Sequence, residues 1–210
     1  MGHFKAPPAP VRMACVSANA LQVVLGAQQG GPGVVGNIHG SHVVWRGADF
    51  ARVFVWGEDD TLRSFAFKGD RLVTPPTKSL YRIPFGMPGG MLSISADGTR
   101  SGSAVLWALV PLNGDANTQR GVRAQLLAYD ARDITNDVWR SEPLDASFGP
   151  DSVGLFAKFV APTVANGKVF VATYGDQENP PGPRQWGGND EPPPASFPRN
   201  YYVAVYGLRP

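Results

Sequence analysis

The sequence is poor in the residues that most often carry chemistry. It has a single cysteine, Cys15, so no internal disulfide can form, and Cys15 reads as a small apolar residue. It has only three histidines, His3, His39 and His42. Charged residues make up 17% of the chain and the formal net charge is +2, without a long basic run; this argues against a nucleic-acid partner. No stretch approaches ~20 apolar residues, so no transmembrane segment is expected. Val11 to Leu25 is fairly apolar, but Pro7, Pro8 and Pro10 precede it and Ser17, Asn19 and Gln22 interrupt it. Arg12-Met13-Ala14 before Cys15 does not make a lipoprotein cleavage site, and no clear signal peptide is read.

What the chain does have is glycine and proline, 25 and 20 of its 210 residues, beside an apolar content of 43%. Both residues interrupt helices, and their abundance suits many short strands joined by turns. The apolar residues fall in runs of strand length. Ala51–Trp56 ends in Gly57-Glu58-Asp59-Asp60, and Thr61–Phe67 ends in Lys68-Gly69-Asp70, so the pair reads as a hairpin. Gly90–Ser95 is closed by Ala96-Asp97-Gly98 and followed by Ser103–Val110, Gly121–Tyr129 and Val138-Trp139. Ala161–Val164, the turn signal Asn166-Gly167, Lys168–Tyr174 and Tyr201–Tyr206 complete the series. No helical period is sustained, and Asp130 to Asn136 has room for one helical turn at most. The expectation is an all-β chain.

The runs repeat on a larger scale. One unit starts near His39-Gly40-Ser41, a second near Gly89-Gly90-Met91 and a third near Phe159-Val160-Ala161. Starts about 50 and then about 70 residues apart, each followed by a series of short strands, indicate β-propeller blades of four antiparallel strands. Residues 1–36 read as a partial blade, with Ala20–Leu25 as a strand, and a Gly/Pro-rich linker. Residues 37–210 read as about three blades. Residues 175–199, with Asn179–Pro183 and Glu191–Pro194, form a Pro-rich loop insertion in the third.

Leu127-Ala-Tyr-Asp-Ala131 followed by Val138-Trp139 resembles the repeat of quinoprotein-like bacterial β-propellers, the type with pyrroloquinoline-quinone repeats. In that repeat an A-x-D step precedes a tryptophan that docks between blades; here the tryptophan falls one residue late. Ala161–Val171 looks like the start of a blade in the same group, and Asn37–Ser41, Met87–Met91 and Gly114–Asn117 look like stretches from such proteins. The resemblance covers most of the chain from Asn37 to Leu208. It implies a blade-docking role for Trp107, Asp130 and Trp139. It also implies, under one alternative, a quinoprotein oxidoreductase using pyrroloquinoline quinone and calcium, and a periplasmic or extracellular setting. Three units do not close a ring, so the chain is expected to be a C-terminal piece of an open propeller. Its partners would be the remaining blades of a longer parent or another copy of itself.

Catalytic constellations are sparse. Gly31-Pro-Gly-Val-Val-Gly36 matches G-x-G-x-x-G, but turn and strand follow it where a dinucleotide site needs a helix. His39 and His42 are three apart, which on a strand places them on opposite faces. No G-x-S-x-G occurs. Asp59, Asp60, Asp97, Asp115 and Asp151 are available for a carbohydrate hydrolase or lyase, yet most sit in turns where Asp bonds its own backbone. Trp45, Trp56, Trp107 and Trp139 lie in strand patterns that blade packing explains, and Trp186 lies in the loop. One positional inference remains. Residues at the start of each innermost strand converge around a propeller axis, which names His39-Gly40, Gly90-Met91 and Lys158-Phe159. Any ligand would meet this rim, with His39, Gly40, Met91 and Lys158 as its candidate residues. The expected function is a non-enzymatic structural or interaction module, with no catalytic residue, metal or cofactor assigned.

Overall fold

A computed structural model of the chain describes residues 37–84, 86–119, 122–141, 151–173 and 202–207. These residues contain twelve strands and no helix. In chain order the strands are β1 (Val43–Arg46), β2 (Ala51–Val55), β3 (Thr61–Lys68), β4 (Arg71–Leu72), β5 (Thr77–Arg82) and β6 (Met91–Ser95). They continue with β7 (Val105–Pro111), β8 (Ala124–Asp130), β9 (Trp139–Arg140), β10 (Thr163–Ala165), β11 (Lys168–Thr173) and β12 (Tyr202–Gly207). They form three separate antiparallel sheets. The first is β1-β2-β3, with β4 and β5 both pairing β3; the second is β6-β7-β8-β9; the third is β10-β11-β12. In the second and third sheets every strand follows its neighbour in the chain; in the first, β5 passes β4 to pair with β3. Residues 1–36 and 175–199, with Cys15, the Gly31–Gly36 motif and Trp186, lie outside the described residues.

The turns explain why these hairpins close where they do. Asn166 and Gly167 both hold positive φ, 50° and 69°, between the paired Ala165 and Lys168. That is the two-residue type I′ turn which Asn-Gly favours and which matches the twist of the flanking strands. Gly69, at φ 64°, opens the equally short link between Lys68 and Arg71. The segment from Asp130 to Asn136, with room for one helical turn, is instead a pair of Asx turns. Asp130 Oδ1 accepts the Arg132 N–H at 2.9 Å, and Asp133 Oδ1 accepts the Thr135 N–H at 2.9 Å.

The second sheet is buried on both faces, and period-2 alternation sorts its side chains. Leu92 of β6, Leu106, Ala108 and Val110 of β7, and Leu127 and Tyr129 of β8 join Phe54, Trp56 and Leu62 of the first sheet in one core. Met91, Leu109, Ala124 and Leu126, with half-buried Trp107, join Val169 and Val171 of the third sheet in another. Covering both faces is why β7 and β8 read as near-continuous apolar runs rather than alternating ones. Each fully buried Leu or Val in these layers contributes roughly 1.5–3 kcal/mol relative to exposure. The first strands of the three sheets are neighbours, β6 lying beside both β1 and β10. On its other face the third sheet carries Phe170 and Ala172 on β11 and Val203 and Val205 on β12. The two valines are 56% and 53% exposed; this face is apolar and open.

Candidate functional site

Where β1 and β6 begin, the first and second sheets are tied by backbone. Glu58 N–H donates to Asn37 O at 2.9 Å, Gly90 N–H to Trp56 O at 3.2 Å and Ala116 N–H to Met87 O at 3.0 Å. Gly40 crosses against Gly90 so closely that a Cβ on Gly40 would stand 2.4 Å from the Gly90 carbonyl oxygen. A glycine is required there for closeness of approach rather than for an unusual φ.

Side chains from all three sheets meet on this rim. His39 Nε2, itself shielded from solvent, lies 2.8 Å from Glu58 Oε1. Glu58 Oε2 accepts the Asn37 N–H at 3.1 Å, which fixes the carboxylate. The His39 ring sits 6.0 Å from that of Phe159, tilted by 51°. Lys158 Nζ lies 5.7 Å from the centre of the same ring and donates to Asn117 Oδ1 at 3.2 Å. Asn117 is placed by Asp115, whose Oδ1 accepts the Asn117 and Met87 N–H groups at 2.7 and 3.2 Å, while Oδ2 accepts the Thr118 hydroxyl at 3.0 Å. Phe159 adopts φ 64° while its side chain is 57% exposed. Left-handed backbone at a bulky residue is strained, and here no burial of the ring offsets the cost.

Of the residues expected on the rim, His39, Gly40 and Lys158 are there. Met91 is a core residue, buried between the second and third sheets, with only its Cε close to Gly40. Glu58, Asn117 and Phe159 complete the set. Glu58 could have been found from the up-and-down order: the end of β2 lies beside the start of the antiparallel β1. Trp107 and Trp139 stand edge-on at 6.3 Å, and Trp139 reaches Tyr206 of the third sheet at 5.7 Å. Asp130 lies away from this contact and holds the Arg132 guanidinium at 2.6 Å, an ion pair that lowers the Asp130 pKa below the usual carboxylate value. The other sequence carboxylates are separately engaged: Asp59 with Arg82, Asp60 with Arg63 and Asp97 with Arg100.

Calcium takes about six to eight oxygen ligands. Among the described residues no three His, Cys, Asp or Glu side chains gather round a common point. The two rim carboxylates already accept backbone N–H groups. The rim does not fit a calcium ion with its quinone, and no redox step is derived from it. Among the described residues no helix is long and apolar enough to cross a membrane. No known protein family, curated protein or solved structure matches this chain.

Proposed function

We propose that this chain is a run of three β-propeller blades acting as a non-enzymatic structural or interaction module. The observation that carries the reading is the second sheet, covered on one face by the first sheet and on the other by the third through alternating side chains. Propeller blades pack face to face in this way, and their first strands line an axis, as the neighbouring β1, β6 and β10 would. The open apolar face bearing Phe170, Ala172, Val203 and Val205 continues the same stack, and another blade, in a longer parent or a second copy, is its natural cover. The rim carboxylates serve as turn and strand ties, which favours binding and scaffolding over catalysis.

The test is size-exclusion chromatography with light scattering, with circular dichroism on the same sample. A β-rich assembly of more than one chain supports the reading. A folded, monodisperse monomer would sink it, because the outer face would then need no further sheet.

A further inference from the structure

Phe159 combines three properties that packing does not account for. Its backbone is left-handed, its ring is 57% exposed, and it carries the two nearest polar groups of the rim at its sides, Lys158 and His39. Strain of this kind persists where the surrounding structure enforces it, and it collects at binding sites. An apolar ring held out to solvent is a stacking surface. Around it stand a donor in Lys158, an amide with both functions in Asn117, and the His39–Glu58 pair. Lys158 is a cation, but Glu58 and Asp115 are carboxylates beside it, so the rim presents no excess of positive charge to select an anion. The Glu58 carboxylate is held by Asn37 N–H and His39 Nε2 and has lone pairs left to accept from a hydroxyl.

We propose that the rim binds a neutral saccharide ring, its C–H face on Phe159 and its hydroxyls on Asn117, Lys158 and the His39–Glu58 pair. A pyranose has the required shape: one flat apolar face, edges of hydroxyls that both donate and accept, and no formal charge. The site is assembled from the first sheet, the loop after β7 and the segment before β10, so it exists only in the folded chain.

Saturation-transfer NMR with the methyl pyranosides of glucose, galactose, mannose and N-acetylglucosamine tests this on the whole chain. At least one glycoside is expected to receive saturation on the C–H groups of one ring face. Phe159→Ala should weaken that binding by about tenfold or more, the loss of one stacking contact with its associated hydrogen bonds. Phe159→Gly, measured alongside, separates binding from folding. It should weaken binding as Phe159→Ala does while raising the urea midpoint, because glycine accepts the left-handed backbone without strain. Val203→Ala on the third sheet should change nothing at the rim. The proposal is overturned if no glycoside shows transfer, if Phe159→Ala binds as the parent does, if Phe159→Gly lowers the midpoint, or if adenosine binds and the glycosides do not.

Discussion

Trp139 of β9 stands edge-on to Tyr206 of β12 at 5.7 Å, and this contact ties the outer strand of the second sheet to the outer strand of the third. Trp107 approaches the same indole from within the second sheet at 6.3 Å, and its own Nε1–H donates to Ser95 Oγ at 2.9 Å. Edge-to-face aromatic pairs contribute about 0.5–1.5 kcal/mol beyond their buried area. Trp139→Ala should therefore cost about 1–3 kcal/mol in urea unfolding. A double-mutant cycle with Tyr206→Ala should return a coupling of about 0.5–1.5 kcal/mol. A coupling near zero would mean that the sheets do not meet there.

Gly40→Ala is expected to be far more damaging than its size suggests. The new methyl group would meet the Gly90 carbonyl oxygen at 2.4 Å, and backbone cannot move aside as a side chain can. Overpacking of this kind costs about 1–3 kcal/mol. Gly98 provides the contrast: its turn has open space for a Cβ but holds φ 53°, so Gly98→Ala should cost roughly 1 kcal/mol, from backbone conformation alone. Thermal or urea midpoints of the two variants decide the comparison.

Asp60 and Arg63 form an ion pair within the first sheet, both residues buried. The guanidinium meets Asp60 Oδ1 at 2.9 Å and Oδ2 at 2.5 Å, and Oδ1 also accepts the Thr61 N–H at 2.8 Å. Removing one partner leaves the other charge buried without it, which typically costs about 3–5 kcal/mol. Asp60→Ala should lose that much stability, while replacing both residues by apolar ones of similar volume should recover most of it.

Tyr129 sets the alkaline limit of the fold. Burial pushes its pKa far above that of a free phenol, the Asp137 carboxylate adding to the effect, and Tyr81 is shifted up by burial as well. The folded state thus keeps these protons where the unfolded state releases them. Stability is fully present below about pH 10 and falls as pH rises beyond it. Absorbance titration of the phenolate band should show these two tyrosines ionising only together with unfolding. The Tyr129 hydroxyl makes no well-aligned hydrogen bond among the described residues; its polar neighbour is Ser79, whose Oγ accepts from Leu62 N–H and donates to Tyr81 O. Tyr129→Phe should be neutral or mildly stabilising at pH 7. A loss above about 1 kcal/mol would mean that Ser79 or a bound water serves that hydroxyl.

The strands were legible where burial and turn chemistry agree. Leu126-Leu127-Ala128-Tyr129 lies buried on both faces and so is apolar throughout, and Asn166-Gly167 specifies its own turn. Strand β5, Thr77-Lys-Ser-Leu-Tyr-Arg82, was not legible, because its side chains are largely exposed and carry two cations, as suits an edge. The two-residue strands β4 and β9 are too short to leave a period. At the rim, His39, Gly40 and Lys158 followed from their place before the first strands. Met91 follows the same rule of position, but alternation turns its side chain into the core. Glu58 and Asn117 belong to turns after β2 and β7, and only the pairing of the strands brings those turns to the rim.

The double covering of the second sheet has a kinetic corollary. The amides of β7 and β8 pair with each other along seven residues and lie under side chains on both faces, so no local opening exposes them to water. Their hydrogen exchange should require disruption of both neighbouring sheets at once and report the global unfolding free energy. The short β10, paired only with β11, should exchange through small fluctuations long before that. The second sheet is then the keystone of the described molecule: what loosens it loosens everything, while the strands around it can breathe alone.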